Sequence, residues 1–86
     1  MTIIYILKLI ENKIYIGKTN NLKYRLEQHF NLKGSIHKGS VWTTKYKPIE
    51  VIEVLENADI YDEDKMVQKY MDIYGIHNVR GGSFCQ

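Results

Sequence analysis

The first third of the chain begins with two apolar segments that predict β-strands. Residues 3–9 are rich in β-branched and aromatic side chains, which is typical of a strand. Residues 14–16 form a second run of this kind, and Gly17 ends it. Because only a short polar turn at 11–13 separates the two runs, we expect an antiparallel hairpin.

A helix is predicted after the hairpin. Leu22, Leu26 and Phe30 recur at a spacing of four residues, which places them on one apolar helix face. The residues at 19–21 are good N-caps, and the helix is expected to stop near Phe30. Residues 31–47 are polar and contain glycines, serines and several lysines, so we predict a long loop there.

The second half predicts one further strand and one further helix. Residues 49–55 alternate weakly and indicate a third strand, and residues 57–59 are expected to cap the helix that follows. The apolar face of that helix consists of Met66, Val67, Tyr70, Met71, Ile73 and Tyr74. Gly75 is the predicted C-cap, and the tail from residue 76 onward is expected to be irregular.

This order, β-β-α-β-α, predicts an α+β fold with a three-stranded antiparallel sheet flanked by helices. The chain has 86 residues, the size of one small domain, so we expect a single domain over 1–86. Apolar residues make up 44% and charged residues 26%, which excludes a disordered tail. We expect no membrane-spanning helix and no secretory leader. Since a lone cysteine, Cys85, forms neither an internal disulfide nor a zinc site, we expect a reducing intracellular compartment.

Charge is distributed unevenly along the chain. Residues 1–47 carry nine Lys and Arg against two Glu, a net charge of +7, and residues 48–86 carry three against eight acidic residues, a net charge of −5. A basic half suits a phosphate backbone, and the acidic residues at 59–64 suit a divalent cation. Two solvated faces would give the same charge pattern, so charge alone does not separate these interpretations.

Side chains suited to phosphoryl chemistry are expected at one edge of the sheet. Tyr5 and Tyr15 lie on the paired strands, and Arg25 and His29 are one helical turn apart on the helix that follows. Arginine forms bidentate hydrogen bonds with phosphate oxygens. Tyrosine or histidine can transfer protons when its pKa lies near the working pH. A carboxylate at Glu63 would add a metal ligand. The alternative is that the tyrosines are half-buried strand aromatics and the other two line an exposed helix edge.

The residues from Ile3 to Phe30 resemble the GIY-YIG nuclease family. The second motif is intact as Tyr15-Ile16-Gly17, whereas the first is degenerate, Ile3-Ile4-Tyr5, with Ile where the family usually has Gly. The resemblance extends over roughly residues 3–79. Glu63 and the apolar residues three, four and seven places after it look like the metal-binding helix of the family, and Asn78 looks like the asparagine that follows that helix.

The resemblance implies hydrolysis of DNA phosphodiesters that depends on a divalent metal, Mg²⁺ or Mn²⁺. Glu63 would be the direct ligand of the ion, with Asp64 as the alternative. Tyr5 would be the general base that activates a water. Arg25 would hold the scissile phosphate.

Tyr15 and His29 would, by the same resemblance, position phosphate or water or relay a proton. The expected nucleic-acid-binding residues are Lys18, Trp42, Lys45 and Asn78. Lys18 would add positive charge, and Asn78 would buttress the site by hydrogen bonding. The run from Trp42 to Lys45 either stacks on a base and covers phosphates or pins the loop to the core. Arg80-Gly81-Gly82 is either a backbone contact or a flexible tail.

The predicted function is therefore a DNA endonuclease, with selectivity for a DNA structure as one interpretation. DNA is the expected partner, together with a homodimer or a targeting protein and without a membrane. The competing hypothesis is a catalytically silent module of the same fold that binds nucleic acid or a protein partner. If the chain is viral, the compartment would be the cytoplasm or nucleus of the host cell.

Overall fold

A computed structural model describes residues 1–30 and 41–82. Its strands are β1 (Ile3–Leu9), β2 (Ile14–Thr19), β3 (Pro48–Leu55) and β4 (Val79–Gly81). Its helices are α1 (Leu22–Phe30), α2 (Val41–Lys45) and α3 (Asp62–Tyr74). Short 3-10 turns at Ile10–Asn12 and Ile76–Asn78 precede β2 and β4.

The strands form one mixed sheet in the order β3-β1-β2-β4. β1 pairs antiparallel with both β2 and β3, whereas β4 runs parallel to β2. The α+β class is confirmed, but the prediction of a three-stranded antiparallel sheet was wrong because the tail supplies a fourth strand. β4 is too short to show an alternating pattern. It is accommodated by Gly81, where a Cβ would lie 2.3 Å from the carbonyl oxygen of Ile16.

Part of the predicted loop is helical. Residues 31–40 lie outside the described residues, but Val41–Lys45 form α2. A helix of this length has no stability of its own and shows no apolar period, so it depends on tertiary contacts. The indole Nε1 of Trp42 donates a hydrogen bond to the carbonyl of Ile14 at 3.1 Å, and Thr43 is buried.

Helix ends mostly follow the predicted caps. The side chain of Asn21 accepts a hydrogen bond from the backbone N–H of Tyr24 at the start of α1. Gly75 ends α3 at φ 94°, and its N–H bonds the carbonyl of Met71. The cap predicted at 57–59 was too early. A turn in which Asp59 bonds the residues that follow it comes first, and α3 begins at Asp62.

The sheet has an apolar cluster on each face, because successive strand side chains point to opposite sides. α3 packs against one face, and its core consists of Ile4, Ile6, Ile14, Ile16, Val67, Tyr70 and Val79. The other face buries Tyr5, Leu7 and Leu9 beneath side chains of α1 and α2. None of the described helices has the length and apolar character of a membrane span. The tyrosines predicted to act in chemistry therefore lie on the face covered by α1 and α2.

Candidate active site

The position of Tyr5 depends on a glycine in the neighbouring strand. In the register of β1 and β2, Tyr5 lies opposite Gly17. A Cβ built on Gly17 would lie 2.2 Å from Cζ of Tyr5 and 2.3 Å from its hydroxyl oxygen. The ring therefore occupies the volume that any other side chain at this position would take. The missing side chain lets the Tyr5 ring contact β2 at Gly17.

A chain of hydrogen bonds starts at the Tyr5 hydroxyl. This oxygen lies 2.7 Å from Nε2 of His29, and Nδ1 of His29 lies 2.9 Å from Oγ1 of Thr43. All three side chains are buried. A neutral imidazole has one donor and one acceptor nitrogen, so both ring nitrogens are satisfied in this arrangement. The Tyr5–His29–Thr43 chain joins β1, α1 and α2 at one point.

Burial changes the proton affinity of both titratable groups in this chain. Burial, with a smaller contribution from the charge of Arg25, lowers the pKa of His29 to about 4. Burial raises the pKa of Tyr5 well above its usual value, and the nearby Tyr15 and Glu63 act in the same direction. Arg25 opposes this shift through its charge and a hydrogen bond. At neutral pH the histidine is therefore an uncharged base and the tyrosine a protonated phenol.

Tyr15 and Arg25 complete this side of the site. The Tyr15 ring centroid lies 5.2 Å from that of His29 and 6.3 Å from that of Tyr5, so the three rings form one cluster. Nη1 of Arg25 donates a hydrogen bond of 2.8 Å to the side-chain oxygen of Gln28. Because Gln28 is itself buried, this bond holds the guanidinium beside the Tyr5 hydroxyl.

Glu63 lies in the first turn of α3 and approaches the same site from the other side of the sheet. Its side chain is 18% exposed, and a carboxylate oxygen lies 3.8 Å from the ammonium of Lys18. Its charge raises the pKa of Tyr5, so the carboxylate lies within electrostatic range of the phenol. Two tyrosines, an arginine, a histidine and a glutamate are thus brought together from β1, β2, α1 and α3.

Comparison with known families identifies the domain that carries this constellation. Residues 1–69 match the GIY-YIG family, described as the GIY-YIG catalytic domain. The chain belongs to the GIY-YIG family. The resemblance found in the motifs is confirmed, and this is a GIY-YIG nuclease domain. Comparisons with curated proteins and with solved structures found no match.

The acidic side of the GIY-YIG site fits a hard divalent cation. Within residues 1–30 and 41–82, no three His, Cys, Asp or Glu side chains cluster as a complete metal cage. Mg²⁺ is commonly held by one or two carboxylates, with waters and substrate phosphates as its other ligands. Glu63, partly exposed beside the site, is a donor of this kind. Asp64 follows it in the same turn and is also only partly exposed.

The other predicted interface residues lie in different places. Lys18 is at the site, beside Glu63. Trp42 anchors α2 to β2 through its indole, which is the pinning alternative. Lys45 is exposed, with its ammonium 5.4 Å from the ring centroid of Tyr46.

Asn78 lies beyond the C-terminal end of α3, whereas Glu63 is in the first turn of that helix. Its amide nitrogen donates to the carbonyl of Tyr74, and its oxygen accepts from the ammonium of Lys13, both at 2.7 Å. These bonds tie the end of α3 to the turn before β2. A role for Asn78, Trp42 or Lys45 in binding DNA stays a prediction.

Two residues that build the GIY-YIG site were missed by the sequence reasoning. Thr43 holds His29, and Gln28 holds Arg25. Thr43 lies in the Trp42–Lys45 run that had been singled out, but nothing in its neighbourhood signals a bond to a residue 14 positions away. The spacing of Arg25 and Gln28, three residues on one helix, could have suggested their pairing.

Proposed function

We propose that this GIY-YIG domain is an endonuclease that hydrolyses DNA phosphodiester bonds and depends on a divalent metal ion. The observation that carries the proposal is the buried Tyr5–His29–Thr43 chain, whose Tyr5 end interacts with the charges of the Arg25 guanidinium and the Glu63 carboxylate. A positively charged group for the phosphate, a proton acceptor and a metal ligand are the parts that phosphodiester hydrolysis needs.

The hydrogen-bonded chain supports a route for the proton of the attacking water. If Nδ1–H of His29 donates to Thr43, Nε2 is left as the acceptor for the Tyr5 hydroxyl proton. Tyr5 then takes a proton from water while its own proton passes to His29. The resulting hydroxide attacks phosphorus, and the bond from phosphorus to the leaving oxygen breaks. The low pKa of His29 keeps Nε2 free to accept at neutral pH.

Arg25 has the chemistry to bind the scissile phosphate. Its guanidinium offers paired donors to phosphate oxygens, which carry more charge in the transition state. The Gln28 contact uses Nη1 and leaves other N–H groups of the fork for the phosphate. Bound at Glu63, Mg²⁺ or Mn²⁺ would act as a Lewis acid on the phosphate and the leaving oxygen.

The experiment that tests the proposal is a cleavage assay on labelled single-stranded, duplex, flap and four-way-junction DNAs with Mg²⁺ or Mn²⁺. We expect Tyr5→Phe to slow cleavage by about 10²-fold or more, because it removes the proton-transfer group. Glu63→Gln should abolish dependence on the metal together with most activity. Matched controls are Tyr61→Phe and Glu56→Gln, which change an exposed phenol and an exposed carboxylate.

Cleavage that needs the metal and is lost in both site variants, but not in the controls, would establish the endonuclease. A wild-type protein that binds DNA yet cuts none of the four substrates would contradict it. That outcome favours the silent binding module of the same fold. Because one active site cuts one strand, two nearby nicks from a single encounter would indicate that two copies act together.

A further inference from the structure

The last described residues of the chain pack against the turn that carries Glu63. A Cβ built on Gly82 would lie 2.2 Å from Oδ1 of Asp64 and 3.4 Å from Cγ of Glu63. The backbone of Gly82 therefore touches the Asp64 carboxylate with no side chain between them. Gly82 also has φ +52°, a left-handed conformation that glycine adopts without a Cβ penalty.

β4 fixes the position of this contact. Its residues pair with β2, so that Arg80 lies opposite Tyr15 and Gly81 opposite Ile16. The guanidinium of Arg80 lies 4.7 Å from the ring centroid of Trp42 and donates to the carbonyls of Ile76 and Val79. Arg80 and Gly81 are therefore part of the sheet, and a contact of Arg80-Gly81-Gly82 with a DNA backbone stays a prediction. β4 also packs against α3, so the end of the strand places Gly82 beside the first turn of that helix.

We infer that the Asp64–Gly82 contact is a positioning device for Glu63. Asp64 holds the first turn of α3 against the end of β4, and this fixes the direction of the neighbouring Glu63 carboxylate toward the site. Asp64 is then a positioning residue rather than a metal ligand. The inference rests on the proposed function, in which Glu63 holds the divalent ion, and it brings into the site a glycine beyond the residues that match the family.

A carboxylate in the first turn of α3 has other partners that could turn it away from the site. The turn carries three adjacent acidic residues, Asp62, Glu63 and Asp64, and its first N–H groups, which have no partners within the helix, attract such side chains. Asp62 is already engaged, since its carboxylate accepts the N–H of Asp59. Groups that orient a metal ligand commonly affect metal affinity by about 10- to 100-fold.

The sharpest test is Gly82→Ala. The added methyl meets the end of the flexible Asp64 side chain, which can rotate away so that the contact is lost, while the strain of a side chain at φ +52° has its counterpart in the Gly75→Ala control. Mn²⁺ binding is followed by paramagnetic broadening of the backbone amide signals of residues 62–66 in the full chain without DNA. We expect Gly82→Ala to raise the Mn²⁺ concentration for half-maximal broadening by about tenfold. Asp64→Ala should do the same, and the double variant should be no worse than either single variant.

The matched control is Gly75→Ala at the other end of α3. Gly75 also has a positive φ, +94°, but a Cβ there has no neighbour closer than 3.5 Å. This variant should lower stability and leave Mn²⁺ affinity unchanged. Metal-free hydrogen exchange gives a second readout. Amides of residues 65–68 should exchange faster in Gly82→Ala than in Gly75→Ala.

Each outcome decides one question. Unchanged Mn²⁺ affinity and unchanged exchange in Gly82→Ala would overturn the inference. Complete loss of broadening in Asp64→Ala beside normal broadening in Gly82→Ala would also overturn it, because Asp64 would then be a ligand. A wild-type protein that neither binds Mn²⁺ nor cuts DNA would contradict the proposed function instead. The hydrogen-exchange data would still show whether the Asp64–Gly82 contact stabilises the first turn of α3.

Discussion

At the scale of single residues, Gly17 decides where the Tyr5 hydroxyl can be. The glycine leaves the volume that the Tyr5 ring fills, and the ring then reaches His29. A glycine inside a strand commonly marks such a close approach. The degenerate first motif, with Ile3 in place of glycine, has a different consequence. Ile3 is a well-packed strand residue, so its side chain suits its position.

Gly17→Ala should therefore damage both packing and chemistry. The new methyl must displace the Tyr5 ring, and overpacking of this kind costs about 1–3 kcal/mol. We expect a lower melting temperature and slower cleavage. The control is the same change in a Tyr5→Leu background, where the clash is relieved. If Gly17→Ala costs as much stability there as in wild type, the ring is not the reason.

His29 should make stability depend on pH. Its pKa is about 4 in the folded chain, mainly because it is buried, and 6.5 is the reference value for the unfolded chain. Between these values the unfolded state binds more protons. The contribution of His29 to the free energy of unfolding is therefore fully present above pH 6.5 and is lost as the pH falls toward 4. The loss is on the order of 3 kcal/mol. Urea unfolding at pH 4–7 measures it.

Two histidine variants identify the source of that pH dependence. His29→Gln should flatten the curve between pH 4 and 6.5, because the group that titrates is gone. His77→Gln changes an exposed histidine in the turn before β4 and should leave the slope as it is. An unchanged slope in His29→Gln would show that another group binds the proton.

At the scale of elements, α2 is the clearest case of a short helix held by its neighbours. Trp42 attaches it to β2, and the Trp42 ring packs edge-on against Tyr46 with 4.7 Å between the ring centroids. These contacts place Thr43 under α1, where it meets His29. The helix therefore contributes to the site through one hydroxyl whose position depends on an aromatic anchor.

Thr43→Val should expose that contribution. Valine keeps the shape but leaves Nδ1 of His29 buried without a partner, at a cost of about 1–3 kcal/mol. The preference for the Nδ1–H tautomer should weaken, and we expect cleavage to slow by about tenfold or more. Nitrogen NMR of the His29 ring reports the tautomer directly. Thr44→Val on the exposed side of α2 is the control. An unchanged tautomer in Thr43→Val would show that Thr43 does not set the tautomer of His29.

At the scale of the whole molecule, charge and sheet faces are linked. The basic first half of the chain supplies α1 and α2 on one face of the sheet, and the acidic second half supplies β3 and α3. The ammonium of Lys69 on α3 lies 3.4 Å from a carboxylate oxygen of Glu53 on β3, so its charge is balanced by a neighbouring acidic residue. A phosphate backbone is therefore expected to approach from the side of α1 and α2.

Salt dependence of DNA binding tests this orientation. Lys45→Gln should weaken binding and reduce the slope of log K against log salt by about one, because one phosphate contact is lost. Lys69→Gln removes the same charge from the opposite face and should leave the slope unchanged. Equal slopes for the two variants would show that DNA does not contact the face with α2.

Much of the candidate site followed from sequence. The hairpin predicted that Tyr5 and Tyr15 share a face, and helical spacing placed Arg25 beside His29. The structure brings these four together with Glu63. Asn78 differs, because α3 separates it from Glu63, and only the structure shows that its side chain bonds the end of α3 and Lys13.

Local patterns were enough to locate β1, β2, β3, α1 and α3, because their apolar periods are encoded by near neighbours. Two boundaries were wrong, since β2 continues past Gly17 to Thr19 and α3 begins only at Asp62. The motifs also determined membership of the GIY-YIG family. Only tertiary structure decided β4, α2, the Thr43 hydroxyl and the contact of Gly82 with Asp64. Each of these depends on residues far apart in the chain, such as Ile14 with Trp42 or Ile16 with Gly81. Their favourable contacts form only after the sheet brings them together, so they leave no local pattern in the sequence.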